Sequence, residues 1–333
     1  MKTVIWGGCE TGVESMDGSC YRQPMLEQVS QSVGLSNGML RRPVPAPARI
    51  RTIRRGLLDH WRLVGDVVSG RRRPHPSFII AGGMRCGTTS LHATLARHPQ
   101  LCASYHKEVH YFDLHHRLGA GWYARQFPKP RRLPDGSDTR AFESSPYYMF
   151  DPRVPERMRE MLPEVRILFL LRDPVERAIS HYRKNIRDGR EHLAFGDAID
   201  AEDDRLAGEE ERLIADPHYV SERHRYASYK ARGRYADLIA RFQPLFPAGQ
   251  ILAVDAGRLF AEPSIVVAEI CRFLGIDPWQ PEQFAAANVS RQDYVVEESV
   301  RRRLEEVFEP HEHALERILG WRPSVWRARR MAG

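Results

Sequence analysis

The run Ser77-Phe78-Ile79-Ile80-Ala81-Gly82-Gly83-Met84-Arg85-Cys86-Gly87-Thr88-Thr89-Ser90-Leu91 leaves the chain little freedom in how it folds. Its apolar half, up to Ala81, has the length of a buried parallel strand. Leu91, Leu95 and Ala96 then recur with helical spacing over residues 88–97. A strand that turns through glycines straight into a helix sets the helix N-terminus at a sheet edge. Unpaired N–H groups and a partial positive charge favour an anion there, and glycine lets phosphate-like oxygens approach the backbone. Thr88, Thr89 and Ser90 add hydroxyl donors. The plainer alternative is an ordinary glycine turn between strand and helix.

Gly82, Gly87, Thr88 and Thr89 nearly satisfy the G-x-x-x-x-G-K-[ST] phosphate loop, but Thr88 stands where the lysine that reaches the β- and γ-phosphates belongs. A nucleoside triphosphate needs strong neutralisation and magnesium. A phosphosulfate carries less charge at the transferring group, and one guanidinium with backbone donors can handle it. Arg85 supplies that guanidinium.

At 333 residues the chain can bury a sizeable core, and we expect one large α/β domain over residues 75–328, preceded by an extension over residues 1–74. The net charge of +7 permits anionic ligands, nucleic acid or acidic membrane surfaces without choosing among them. Much of it lies in Arg41, Arg42, Arg49, Arg51, Arg54, Arg55, Arg62, Arg71, Arg72 and Arg73, a basic arm that is either solvated or docked on an anionic partner. The five cysteines are scattered, with no C-x-x-C pair and no zinc spacing, which fits a reduced, cytoplasmic setting. Cys86 reads as a small loop residue, because no His/Asn arrangement adjoins it. No basic n-region leads into an apolar one, and no stretch approaches the roughly 18 apolar residues of a membrane span.

Along the chain, residues 51–68 have an amphipathic pattern, and Pro99 ends the first core helix. A short strand is expected at residues 101–103. The segment Lys107-Glu108-Val109-His110-Tyr111-Phe112-Asp113 then falls at the carboxyl edge of the sheet, where open α/β folds bind ligands. Glu108 there is either a solvated turn residue or a general base tuned by Lys107 and His110. Residues 141–143 form another short strand, and residues 165–171 the most apolar one. Arg172 is at its tip. Asp173-Pro174-Val175-Glu176 then reads as an N-cap, a first-turn proline and a capping-box glutamate. Arg172 and Ser180 either address one phosphate or leave Arg172 paired with Asp173 or Glu176. Residues 192–224 are acidic and irregular, a solvated helical insertion or a lid. Helices near 234–242, 263–274 and 298–319 and a strand at 250–254 complete an alternation that argues for a parallel sheet.

Three separated motifs resemble the sulfotransferases that use 3′-phosphoadenosine 5′-phosphosulfate, especially their carbohydrate (heparan-sulfate-like) branch and its bacterial relatives. They are the loop from Gly83 to Leu91, the segment from Lys107 to Asp113, and Leu171-Arg172-Asp173-Pro174-Val175-Glu176-Arg177-Ala178-Ile179-Ser180-His181-Tyr182. Arg232-Gly233-Arg234-Tyr235 and Phe273-Leu274-Gly275 are similar to later landmarks of the same family. The resemblance implies a P-loop-like α/β fold with a central, mostly parallel sheet flanked by helices. It implies direct sulfuryl transfer to a hydroxyl or amine without a metal, releasing 3′,5′-ADP. Glu108 would then take the acceptor proton. Arg85, Cys86, Gly87, Thr88, Thr89 and Ser90 would form the 5′-phosphosulfate loop, and Arg172 with Ser180 would clamp the 3′-phosphate that distinguishes this donor from ATP. Asp113 would position Glu108 or a neighbouring base.

Two departures stand out. Many members carry lysine where Arg85 stands, and arginine is a poorer proton donor to the leaving oxygen. Heparan-type members place a lysine after the glutamate matching Glu143, where this chain has Ser144. Lys107 and His110 are candidates for the missing charge, and Arg301, Arg302 or Arg303 for a basic nucleotide loop not evident after residue 285. The expected acceptor is a saccharide or small glycosylated metabolite. A P-loop NTP-dependent kinase is the rival enzyme, and a basic nucleic-acid-binding scaffold the rival of another class. No nucleic-acid partner is expected, because no aromatic-interleaved basic sheet or recognition-helix pattern accompanies the charge.

Overall fold

A computed structural model of the chain describes residues 73–282, 284, 296–320 and 326. The basic arm apart from Arg73, the amphipathic segment at 51–68 and residues 285–295 lie outside the described residues. Five parallel strands form one sheet in the order β2-β3-β1-β4-β5. They are β1 (Phe78–Gly82), β2 (Leu101–Ala103), β3 (Arg140–Ser144), β4 (Arg166–Leu171) and β5 (Ile251–Asp255).

The central position follows from hydrophobicity. Every residue of β1 and the last five of β4 are buried, so both strands must be covered on both faces. β2 is only three residues long and β5 is half-exposed over its first three residues, as suits edges. From β1 the chain crosses to β2 on one side, while β4 and β5 lie on the other. The carboxyl ends of β1 and β4 therefore flank the reversal point of the sheet, where a crevice opens.

Helix α1 (Thr88–Leu95) follows β1 directly, with Gly87 as its N-cap at φ 92°, a left-handed angle that glycine adopts without strain. After β2, a π-helical turn (Tyr111–His115) leads into α2 (Gly119–Ala124), and α3 (Val154–Met161) precedes β4. Helix α4 (Pro174–Arg187) starts as its sequence predicts at Asp173, whose carboxylate accepts from the N–H groups of Val175 and Glu176 at 2.9 and 3.1 Å. The glutamate of the expected capping box is drawn elsewhere. Glu176 pairs with Arg172 at 3.6 Å and Arg301 at 2.8 Å, because two guanidiniums outcompete one backbone N–H.

The acidic stretch resolves into α5 (Phe195–Asp200), α6 (Glu202–Leu206), α7 (Glu209–Ala215) and α8 (Glu222–Tyr226). It is not simply solvated. Glu202 is fully buried and accepts from the backbone N–H groups of Lys230 and Ala231 at 2.5 and 2.8 Å. Glu209 is buried too and accepts from the Tyr219 and Ser221 hydroxyls. Helices α9 (Tyr235–Ala240), α10 (Ala256–Ala261), α11 (Pro263–Leu274) and α12 (Glu298–Leu319) complete the layers. The last two have the bounds expected from sequence, each closed by a left-handed glycine, Gly275 and Gly320. Besides the main core, a smaller apolar cluster joins Val175, Ile179 and Tyr182 of α4 to Phe195 and Ile199 of α5 and to Leu304 and Phe308 of α12. That packing fixes α4, whose first turns line the crevice.

Candidate functional site

The loop after β1 is held by its own backbone. Gly83 N–H donates to Leu170 of β4 at 2.7 Å, Cys86 N–H donates to Gly83 O at 3.2 Å, and Leu91 N–H donates to Gly87 O at 3.1 Å. The first N–H groups of α1 are then left without an intrahelical acceptor and face the crevice edge. Of the three hydroxyl residues, Thr88 and Ser90 are buried and Thr89 is partly exposed. Cys86 closes the turn: its N–H is used within the loop, and its buried thiol lies 3.6 Å from the Tyr235 hydroxyl. Burial pushes that thiol up, away from the reactive thiolate. Tyr235 also donates to Arg172 O at 2.9 Å, tying the glycine turn to the tip of β4. No spacing rule pointed to Tyr235 as a brace.

Arg85, Arg172 and Ser180 are linked, with Ser180 meeting Arg85 where the sequence reading paired it with Arg172. Arg85 Nε donates to Ser180 Oγ at 3.1 Å, and Arg172 Nη1 reaches Arg85 O at 3.4 Å. Burial and then the like charges of Arg187 and Arg172 lower the pKa of Arg85 from its ordinary value. An incoming anion would offset that like-charge repulsion. Arg172 also has its alternative partner, Glu176, at 3.6 Å, both side chains being about two-fifths exposed (36% and 40%). Of the three arginines considered as substitutes for a nucleotide loop, Arg301 reaches Glu176 beside Arg172. Arg302 and Arg303 pair with Glu298 and Asp200 instead.

The second group of candidates gathers at the adjacent strand tip. Glu108 N–H donates to Ser144 O at the end of β3 at 2.9 Å, and Ser145 N–H donates to Ile80 O of β1 at 3.2 Å. The segment carrying Glu108 is thereby stitched beside the glycine loop. The Glu108 carboxylate contacts Lys107 Nζ at 2.8 Å and His110 Nε2 at 3.4 Å. His110 Nδ1 lies 2.9 Å from Asp113 Oδ2. A chain of ionisable groups, Lys107–Glu108–His110–Asp113, thus runs from the half-exposed Glu108 to the fully buried Asp113.

The charges in this chain support one another. Burial would lower the His110 pKa, but the Asp113 and Glu108 carboxylates outweigh it and raise it to about 9. Burial would raise Asp113, yet His110 and Arg225 bring it down to about 2. Glu108 is likewise held well below the usual carboxylate range, its desolvation outweighed by His110 and Lys107. Glu143, on β3, behaves oppositely. It is fully buried, takes hydroxyl hydrogen bonds from Tyr123 (2.5 Å), Ser145 (2.7 Å) and Tyr148 (3.1 Å), and is pushed up to about 7 because desolvation exceeds what those hydroxyls return. Ser145 Oγ also accepts the His110 backbone N–H at 3.2 Å, so Glu143 braces the turn beneath the histidine. Arg225 was not singled out as a site residue, because nothing in the order of residues reports that α8 returns to the sheet edge.

The model of the sulfotransferase domain matches residues 75–299. Human heparan sulfate glucosamine 3-O-sulfotransferase 5 is 28% identical over 242 residues, covering 70% of this chain and 64% of that protein. Human bifunctional heparan sulfate N-deacetylase/N-sulfotransferase 3 is 30% identical over 213 residues, covering 61% of this chain and 22% of that protein. The chain therefore spans less than two thirds of the length of either relative. Among solved structures, a sulfotransferase from Alicyclobacillus acidocaldarius superposes with a TM-score of 0.59 at 28% identity, covering 76% of this chain and 99% of that one. The domain match runs from the strand before the glycine turn to the start of the last helix, and the chain belongs to the sulfotransferase domain family.

Proposed function

We propose that this protein transfers a sulfuryl group from 3′-phosphoadenosine 5′-phosphosulfate to a hydroxyl of a saccharide or glycosylated small molecule. The observation that carries the reading is the convergence of Arg85, Ser180 and Arg172 at the N-terminus of α1, a cationic cradle with donors on two sides. It fits a nucleotide bearing two separate phosphate groups. Arg85 with the N–H groups of the α1 terminus suits the 5′-phosphate, and Arg172 with Ser180 the 3′-phosphate. The names of the two human relatives support a saccharide acceptor. Free Cys86, Cys102 and Cys271 support a reduced, cytoplasmic setting.

The reaction forms a bond between sulfur and the acceptor oxygen and breaks the bond between sulfur and the 5′-phosphate oxygen. Transfers of this type are governed by positioning and charge stabilisation, with the attacking and leaving oxygens in line. Charge builds on the leaving phosphate, where Arg85 and the α1 terminus stabilise it. The acceptor proton passes to the Glu108 carboxylate. Its depressed pKa makes it a weak base, which suffices where the nucleophile's O–H is lost late. Lys107 and His110 keep it ionised and aimed. Lys107 also places a cation near the sulfonate side of the crevice.

Calorimetric titration with 3′,5′-ADP beside ADP and ATP, in chelator without magnesium, tests the donor assignment. Tight binding of 3′,5′-ADP alone is expected. Preference for ATP would overturn the reading in favour of a kinase.

A further inference from the structure

Arg225 lies far from Asp113 in sequence, at the end of the acidic insertion, yet its Nη2 meets Asp113 Oδ2 at 2.6 Å. The residue is buried. Its guanidinium sits 4.0 Å over the Tyr147 ring, and its own carbonyl accepts from Arg232 Nη2 at 2.7 Å, so both ends of the residue are anchored. Asp113 puts both of its charged contacts, His110 and Arg225, on the single oxygen Oδ2. Its Oδ1 is buried without a partner among the described residues. The angle at which Asp113 presents Oδ2 to His110 is therefore set from the far side by Arg225.

We propose that Arg225 is a positioning residue for the proton-accepting group, acting through Asp113 and His110 on Glu108, so that the helical insertion ending in α8 completes the catalytic base. This rests on the reading of Glu108 as that base.

The same contact predicts a pH signature. His110 faces Glu108 and Asp113 on its own segment, Glu143 from β3 and Arg225 from α8. Lys107 acts on its partner Glu108, and Tyr147, Tyr148, Arg153 and Arg157 act on its partner Asp113. Arg225 repels the imidazolium and also draws on the carboxylate that stabilises it. Removing that cation raises the His110 pKa. Above that pKa the neutral ring donates to only one of its two carboxylates and lets the other go.

The test compares Arg225→Gln, Arg225→Lys, Asp113→Asn, the double variant Asp113→Asn/Arg225→Gln, and Glu108→Gln in the full chain. It reads kcat against pH, and binding of 3′,5′-ADP. For Arg225→Gln we expect a kcat loss of roughly 10- to 100-fold, the scale of an ångström-level misplacement. We also expect a basic limb displaced to higher pH and 3′,5′-ADP binding within about twofold of wild type, as the donor cradle is untouched. Arg225→Lys should restore the limb and most of the rate.

If Arg225→Gln alone fails to fold because it strands a buried carboxylate, the double variant decides. It should match Asp113→Asn within about twofold, since Arg225 acts through Asp113. A wild-type rate and limb in Arg225→Gln, a rate loss with an unmoved limb and no rescue by lysine, or a further loss in the Asp113→Asn background would each overturn the proposal. An inactive Glu108→Gln beside a normal Arg225→Gln would sink this inference alone. Wild-type turnover by Glu108→Gln would remove the base reading and this inference together.

Discussion

Arg85, Glu108 and His110 hold left-handed backbone angles, with φ of 72°, 64° and 55°. Among the described residues they are the only ones other than glycine to do so. Each such residue costs roughly 1–2 kcal/mol, and the surrounding hydrogen bonds must over-determine it for it to persist. Here the strained backbone falls on three candidate site residues, on the segments that follow β1 and β2. Two expectations belong to this scale. Arg172→Ala should weaken binding of 3′,5′-ADP at least tenfold more than binding of 5′-AMP, read by calorimetry; equal losses would take Arg172 away from the 3′-phosphate. The second concerns pH. The folded-state pKa of His110 is raised from 6.5 to about 9, so its contribution to stability is full below about pH 6.5 and fades as pH rises through about 9. Melting temperature followed from pH 6 to 10 should fall more steeply in wild type than in His110→Gln, and parallel curves would count against the buried charge chain.

Helix α4 shows how much one element carries. Its N-cap at Asp173 orients the first turn, its inner face anchors the smaller apolar cluster, and Ser180 on its second turn receives Arg85. Asp173→Ala should cost about 1 kcal/mol in denaturant unfolding, the usual worth of such a cap. It should also weaken 3′,5′-ADP binding, because Arg172 immediately precedes the cap. Unchanged binding with lowered stability would separate the cap from the cradle. Gly233 illustrates a close approach between elements. A Cβ there would lie 2.5 Å from the Phe308 ring of α12, so Gly233→Ala should lower stability by about 1–3 kcal/mol, as overpacking does. A variant as stable as wild type would mean that α12 shifts freely.

For the whole molecule, the donor product should act as a folding ligand. At one hundred times its dissociation constant, 3′,5′-ADP should stabilise the native state by about 2.7 kcal/mol, visible as a rise in melting temperature that chelator leaves intact. A rise that requires magnesium would favour triphosphate chemistry. The described helices include none long and apolar enough to cross a membrane. At this scale too the division between sequence and structure is plainest. Strands β1 and β4, the anion loop, the cap at Asp173 and the bounds of α11 and α12 were legible in the chain, because each rests on hydrophobic period, glycine conformation or capping chemistry acting within a few residues. The Arg85–Arg172–Ser180 cradle was legible only as separate motifs, and Glu108 only as one of two readings. What the tertiary structure alone decided is which charges meet across long loops. It brought Arg301 to Glu176, and drew Glu202 and Glu209 out of a seemingly solvated run into the interior. It also brought Arg225 back to Asp113. Local sequence sets local backbone, whereas the partner of a buried charge is chosen by whatever opposite charge the packed fold places within reach, and no spacing along the chain encodes that.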